Sequence, residues 1–209
     1  MKLGTLASIW RYPVKSLRGE SLESTAVAES GIPGDRSGAL FVRGGHVRQG
    51  KTYRGKEHER LHLTADVDTA IAFARARGVQ LEHHSGEHFF DDAPISMLLE
   101  RWLRELSAHV GYEVEPERFR PNFFVHTPLE FALNEAALED MQLQLGSVGL
   151  RVRYPIERCV TTTYDPRGGV SDPEILQFVA RERNAWMGVY CDVIQPGTAR
   201  TGDSLVLLP

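Results

Sequence analysis

The residues best suited to chemistry lie in one run, Glu157-Arg158-Cys159-Val160-Thr161-Thr162-Thr163-Tyr164-Asp165-Pro166. A thiol stands beside a guanidinium, three hydroxyls follow, and an Asp-Pro pair closes the run. A fixed positive charge favours the thiolate form of a neighbouring cysteine. A thiolate suits a soft metal or a nucleophilic reaction. Taken alone, the run reads as a buried cysteine at a strand end, with threonines chosen for β propensity. Other residues change that weighting. Lys15, Arg36, Arg118, Arg120 and Arg158 each stand next to a turn or a strand end, and Ser16, Asn122 and the threonines add neutral hydrogen-bonding groups. Singly, each cation reads as a solvated surface charge. Together, in an acidic chain, they suit a pocket for a phosphorylated small molecule, because arginine forks match phosphate oxygens through paired hydrogen bonds.

The elements that must position these residues are mostly short strands. Residues 3–12 alternate, with Leu6, Ser8, Trp10 and Tyr12 on one parity and Leu3, Thr5, Ala7 and Ile9 on the other, until Pro13 ends the ladder. A donor-rich loop over 14–20, a strand over 22–28, a turn over 31–36 and a strand over 38–42 follow. Residues 44–62 are polar and basic and read as a solvated loop in preference to a flap over a site. A helix is predicted over 66–77, with Gly78 as its stop, then a short strand over 79–84. His83, His84 and His88 have no fourth partner nearby and read as surface histidines. The strongest helical stripe runs over 94–109, with Ile95, Leu98, Leu99, Trp102, Leu103 and Leu106 on one face, Asp92 as cap and Trp102 in the core. Residues 123–125 form a strand, and Arg118, Arg120 and Asn122 before it share a parity.

A hairpin over 143–150 leads into a strand whose core face is Val148, Leu150, Val152, Tyr154 and Ile156, which leaves Cys159 on the other parity. Asp172-Pro173 starts a short helix. Strands over 188–195 and 204–208 close the chain, with Cys191 on the packed parity and Tyr190 opposite. Many short strands with a few inserted helices predict an α+β, β-rich, barrel-like fold. There is no GxGxxG, P-loop or nucleophile-elbow pattern.

Composition narrows the function classes. The chain has 209 residues, 42% hydrophobic and 25% charged, with a net charge of -4. That balance fits a soluble protein and argues against a general nucleic-acid binder or an anionic membrane surface. Two cysteines make no disulfide framework or zinc pattern, so both are expected to be reduced thiols. No segment approaches transmembrane length, the first residues carry no signal-peptide pattern, and a cytoplasmic location is expected.

Several segments, in order, resemble the MOSC family, named for the C-terminal part of molybdenum cofactor sulfurase. They are Tyr12-Pro13-Val14-Lys15-Ser16 with Gly19, Gly34-Asp35-Arg36, Phe119-Arg120-Pro121-Asn122, and Arg158-Cys159 with Thr162-Thr163 and Asp165-Pro166. Gly188 with Tyr190, Pro196-Gly197 and Gly202-Asp203 complete the set. The resemblance implies one MOSC domain over 1–209, with an N-terminal β part over 1–45, a shortened insert over about 46–92 and a core over 93–209. It implies a molybdenum cofactor (molybdopterin) with Cys159 as metal ligand. Lys15, Ser16, Arg36, Arg120, Asn122, Arg158 and Tyr190 are then its binding residues, joined by Arg118 and Thr162 from the cation and hydroxyl set. The resemblance also implies a small hydroxyl residue after Pro94, and residues 98–102 offer none. Glu157 stands where some relatives carry serine, and pairing with Arg158 would keep it from repelling a phosphate.

Three functions follow. The first is an oxidoreductase removing oxygen from N-hydroxylated small molecules, with Cys159 on the metal, Asp165 as the candidate for orienting a water or relaying a proton, and electrons from a separate donor protein. The second is a carrier of molybdopterin, or of sulfur as a persulfide on Cys159. The third is a cofactor-free reactive thiol.

Overall fold

Ten residues, Lys2–Arg11, form β1, whose two edges organise the rest of the sheet. In the computed structural model, which describes residues 1–86 and 88–209, eleven further strands follow: β2 (Glu20–Leu22), β3 (Ser24–Val27), β4 (Gly38–Gly44), β5 (Gln80–Ser85), β6 (Ile95–Leu99), β7 (Phe123–His126), β8 (Gln142–Leu145), β9 (Val148–Glu157), β10 (Trp186–Gln195), β11 (Gly197–Arg200) and β12 (Ser204–Leu207). Three α-helices are inserted: α1 (Val67–Ala76), α2 (Glu100–Val110) and α3 (Pro173–Glu182). No helix among the described residues is long and apolar enough to cross a membrane.

Seven strands close a barrel in the order β1, β12, β8, β9, β10, β6, β7 and back to β1. Closure removes the exposed edges that an open sheet would present. All neighbours are antiparallel except β6 and β7, where Met97 faces Phe123. A parallel pair needs a crossover, and α2 supplies it. β2 pairs with the far end of β1, Ile9 opposite Leu22. The barrel interior holds the fully buried Leu3, Leu6, Ile95, Leu150, Val189 and Cys191. A smaller unit stands beside it, made of the two-stranded β4–β5 sheet and α1, with its own core of Leu40, Val42, Tyr53, Leu61, Ala70 and Ala74. A third, two-stranded sheet pairs β11 with β3.

The barrel-like α+β expectation is met, and so are the helices at 67–76 and 173–182, each N-capped by an aspartate side chain, Asp66 and Asp172. Trp102 is core, with its indole N–H donating to the Leu133 carbonyl at 2.9 Å. His83, His84 and His88 lie at the surface, none of them buried. Cys191 is fully buried, and burial pushes its thiol well above the ordinary cysteine range.

Four expectations are corrected. The helix predicted over 94–109 is a strand followed by a helix: Ile95–Leu99 is β6, and α2 begins only at Glu100. β6 is buried at every position between β10 and β7, and a strand buried on both faces reads as a continuous apolar run that mimics a helical stripe. The strand over 22–28 is two strands in different sheets, β2 and β3. Tyr154 is 39% exposed although Val148, Leu150, Val152 and Ile156 are buried. The β9–β10 register shifts between the Pro155 and Val152 pairings, and such a bulge turns the intervening side chain outward. Residues 44–62 are not simply a solvated loop, because Tyr53, Gly55, His58 and Leu61 are buried within them.

Candidate functional site

A cavity of about 430 Å³ opens between one end of the barrel and the smaller unit. Lys15, Ser16, Arg36, Arg118 and Arg120 line it. So do Asn122, Arg158, Cys159, Thr162 and Tyr190. Residues far apart in the chain meet there because β1, β6 and β9 bring an end to this rim and β10 passes it at Tyr190.

The floor is built on Tyr12, the residue that follows β1. Its ring is 3% exposed, and the guanidinium carbons of Arg120 and Arg36 lie 4.2 and 4.8 Å from its centroid. Cations over a ring face are attracted to its negative quadrupole. Burial raises the Tyr12 phenol far above its usual range, so its hydroxyl stays protonated and donates to the Pro121 carbonyl. Arg36 is paired with the buried Asp35, whose other oxygen accepts the Tyr12 N–H at 2.7 Å. Arg36 also donates to the Arg120 carbonyl at 3.2 Å and to Asn122 Oδ1 at 3.3 Å. Ser16, Arg36 and Arg120 take positive φ angles of 73°, 47° and 51°. Left-handed non-glycine residues are costly and cluster where a site over-determines the backbone.

Asn122 is an organiser more than a free donor. Its Nδ2 donates to the Trp10 carbonyl, and its Oδ1 accepts from Ser96 N and Ser96 Oγ, each at 3.0 Å. Ser96 was missed in the sequence. It lines the cavity from the start of β6, two residues after Pro94. It supplies the small hydroxyl that residues 98–102 lack. The serine inside an otherwise apolar run is the signal that would have found it.

Arg158 reaches under the rim. Its Nε donates to the Met187 carbonyl at 2.6 Å and its Nη1 to the Phe119 carbonyl at 2.9 Å, while its buried Nη2 has no partner among the described residues. Arg120 Nη2 is likewise buried and unpartnered. Burial holds both guanidinium groups down at about 10. Glu157 makes no pair with Arg158. Gly188 makes room for Arg158: a Cβ there would lie 2.8 Å from the Met97 carbonyl oxygen and 3.0 Å from Arg158 Nη2, at φ +93°. Gly188→Ala is therefore expected to lower stability by about 2 kcal/mol and to displace the guanidinium. Urea unfolding of the variant measures the first effect, and its crystal structure the second.

Cys159 starts a single 3-10 turn, Val160–Thr163, with its Sγ 3.2 Å from Thr161 Oγ1. Thr162 closes the turn, its N–H and its hydroxyl both donating to the Cys159 carbonyl. Arg118 holds the turn from below, donating to the Thr163 carbonyl at 3.1 Å and to Glu115 at 3.0 Å. Arg118 lines the cavity but is committed to these partners. Asp165 does not line it. Its carboxylate accepts the Arg167 N–H at 2.6 Å and lies 3.7 Å from Arg118 Nη2, facing the 167–169 turn.

The opposite wall comes from the smaller unit. Arg54, Gly55, Lys56 and His62 line the cavity, as the flap reading of residues 44–62 had it. A Cβ on Gly55 would lie 3.0 Å from Thr161 Cγ2. His62 stacks on Tyr164 and meets the Asp165 carbonyl at 2.8 Å through Nε2, and burial lowers its ring below the usual histidine value, leaving it neutral. Lys15 pairs with Asp91 at 2.6 Å. Burial pushes the Tyr190 phenol up to about 12, so it remains a donor.

Comparison with known proteins follows this geometry. The family model described as MOSC domain matches residues 83–206, and the one described as MOSC N-terminal beta barrel domain matches residues 3–86. Mitochondrial amidoxime-reducing component 1 of Homo sapiens is 25% identical, the match covering 99% of this chain and 84% of that protein. The protein of the same name from Mus musculus is 29% identical over 57% of this chain and 38% of its own length. Among solved structures, YUAD protein from Bacillus subtilis has a TM-score of 0.58 at 17% identity, covering 98% of this chain and 96% of that one. That last likeness is one of fold.

Proposed function

This chain belongs to the MOSC domain family, and from that premise we propose that it holds a molybdenum cofactor in the cavity and reduces N-hydroxylated compounds there. The observation that carries the reading is the pair of buried, unpartnered Nη2 groups of Arg120 and Arg158, two residues that line the same cavity as Cys159. An unpaired buried donor on a cation is costly, and an anionic ligand removes the cost. The cofactor's phosphate is such a ligand. Among the described residues no cluster of three His, Cys, Asp or Glu side chains could hold a bare metal ion. Cys159 would therefore be one soft ligand to a metal whose other sulfur ligands come with the pterin.

The residues divide the work. Arg120 and Arg158 bind the phosphate, with Ser96 and Ser16 as neutral hydrogen-bonding groups beside them. Tyr12 and Asn122 hold the two left-handed arginines in place. The Cys159 turn, fixed by Thr162 and Arg118, presents the thiolate without needing to reorganise, which is the condition for a preorganised site. Tyr190 and neutral His62 face the cavity as hydrogen-bonding groups that keep a bound oxime oriented. The bound cofactor supplies two-electron oxygen-atom transfer, as cofactors carry the hard chemistry while the protein positions and tunes. Electrons come from a separate donor protein. Asp165 belongs to the turn that supports Cys159, and its place as water-orienting group passes to no residue.

The test is turnover. Protein from a cofactor-competent host, reduced by an artificial one-electron donor, is expected to convert benzamidoxime to benzamidine. Cys159→Ala is expected to lose about 10³-fold or more of that rate, the scale seen when a central catalytic group is removed. Loaded protein without turnover would contradict the reductase and leave the carrier reading.

A further inference from the structure

The phosphate-binding arginines do not use up the positive charge of the cavity. Arg54, on the opposite wall, also lines it, yet among the described residues its guanidinium makes no hydrogen bond or ion pair, and its buried Nε has no partner. Asp91 is the carboxylate that senses Arg54, and it is already taken by Lys15. Lys56 lines the same wall and has no ion pair among the described residues.

Nor is Arg54 carried on a loose loop. Its own N–H donates to Glu57 at 2.7 Å, Glu57 N returns to the Arg54 carbonyl at 2.9 Å, and Lys51 fixes the far side of Glu57. The preceding Tyr53 is 1% exposed and bonded to the Leu40 carbonyl at 2.7 Å. The following Gly55 packs so tightly on Thr161 that a Cβ would press its methyl. Arg54 thus lines the cavity from a backbone clamped next to the Cys159 turn, through the contact of Gly55 with Thr161. A backbone held this firmly leaves only the side chain to be ordered on meeting a planar anion, and the arginine fork is itself planar and preorganised.

The geometry points to a second anion subsite at Arg54, which selects N-hydroxylated substrates carrying a carboxylate or another negative group, with Lys56 adding charge at the mouth. The inference deepens the reductase reading and rests on it for the choice of substrate. A second phosphate on a nucleotide-extended cofactor would satisfy the same donors, so the experiment separates the two sources.

The experiment uses cofactor-loaded protein and measures, by calorimetric titration, the affinities for benzamidoxime and for 4-carboxybenzamidoxime. Wild type is expected to prefer the carboxylate by about tenfold or more, the worth of one charge-assisted bidentate contact. In Arg54→Gln the preference collapses towards unity, in Arg54→Lys part of it remains, and pterin and phosphate per chain match wild type. Arg75→Gln, on α1 outside the cavity, controls for net charge and keeps the preference. Equal affinities in wild type, or a preference that survives Arg54→Gln, overturn the subsite. Loss of phosphate from Arg54→Gln overturns it in favour of the cofactor. If the preference depends on Arg54 but neither compound is ever reduced, the subsite stands and the reductase reading falls.

Discussion

The cofactor-free Arg120→Met protein is expected to melt higher than wild type, while the same substitution strips the protein of cofactor. Arg120 is held in a left-handed backbone, over the Tyr12 ring, with Nη2 buried and unpartnered. Burial, with Arg36 as a like-charged neighbour, lowers its guanidinium to about 10. Without an anion, this charge is desolvated for no return, and an unbranched apolar side chain of similar length removes the penalty. The lost attraction to Tyr12 offsets part of the gain. The net is a gain of about 1 kcal/mol, or about 2–4 °C in Tm for a chain of this size. With an anion bound, the sign reverses. Truncating one partner of a buried charge pair costs about 2–5 kcal/mol, or about 30-fold to several-thousand-fold in affinity. Calorimetric melting of cofactor-free protein and pterin release from denatured samples read the two effects separately. A lower Tm with normal pterin content would mean that Arg120 is structural.

The second large effect lies behind the site. Glu135 is 3% exposed, and both its oxygens accept from Arg183 Nη2, at 2.8 and 2.7 Å. Arg183 follows α3 and also pairs with Glu105 on α2. Glu135 further accepts the Gly188 N–H at 3.4 Å, so this buried pair ties the helices to the glycine that admits Arg158. Glu135→Leu leaves Arg183 buried with one half-exposed partner. Removing one member of a buried pair costs about 3 kcal/mol or more, which corresponds to about 6–12 °C in Tm. Glu135→Leu combined with Arg183→Met removes the stranded charge and is expected to recover most of the loss. A double variant no better than the single one would contradict the assignment of the loss to an unpaired cation.

How much of this was legible in the chain depends on how local each signal is. Period-2 alternation and turn residues announced a β-rich barrel, an apolar stripe with the Gly78 stop announced α1, and Asp172-Pro173 announced α3, because those signals are written within a few residues. Ile95–Leu99 was not legible as a strand, since burial on both faces erases the alternation, and with it went Ser96. The Arg158-Cys159 run was legible as chemistry. That Arg118 is spent on Thr163 and Glu115 was not, nor that Asp165 faces away, because both depend on how the 3-10 turn packs on residues 40 or more positions distant. Residues 44–62 misled through composition. Their charges look solvated in the sequence, whereas Tyr53 and Leu61 bury in a core made with β4 and α1, and so bring Arg54 and His62 to the cavity.

The central claim is that Cys159 ligates a metal held by a cofactor that Arg120 and Arg158 bind through its phosphate. It is tested most directly by counting molybdenum and pterin per chain in protein from a cofactor-competent host, for wild type and Cys159→Ala side by side. The account predicts about one molybdenum and one pterin per wild-type chain. In the variant it predicts molybdenum lost and pterin retained, since the phosphate contacts remain. Wild type without either, from a host shown to supply the cofactor, or a variant that keeps its molybdenum in full, would contradict it.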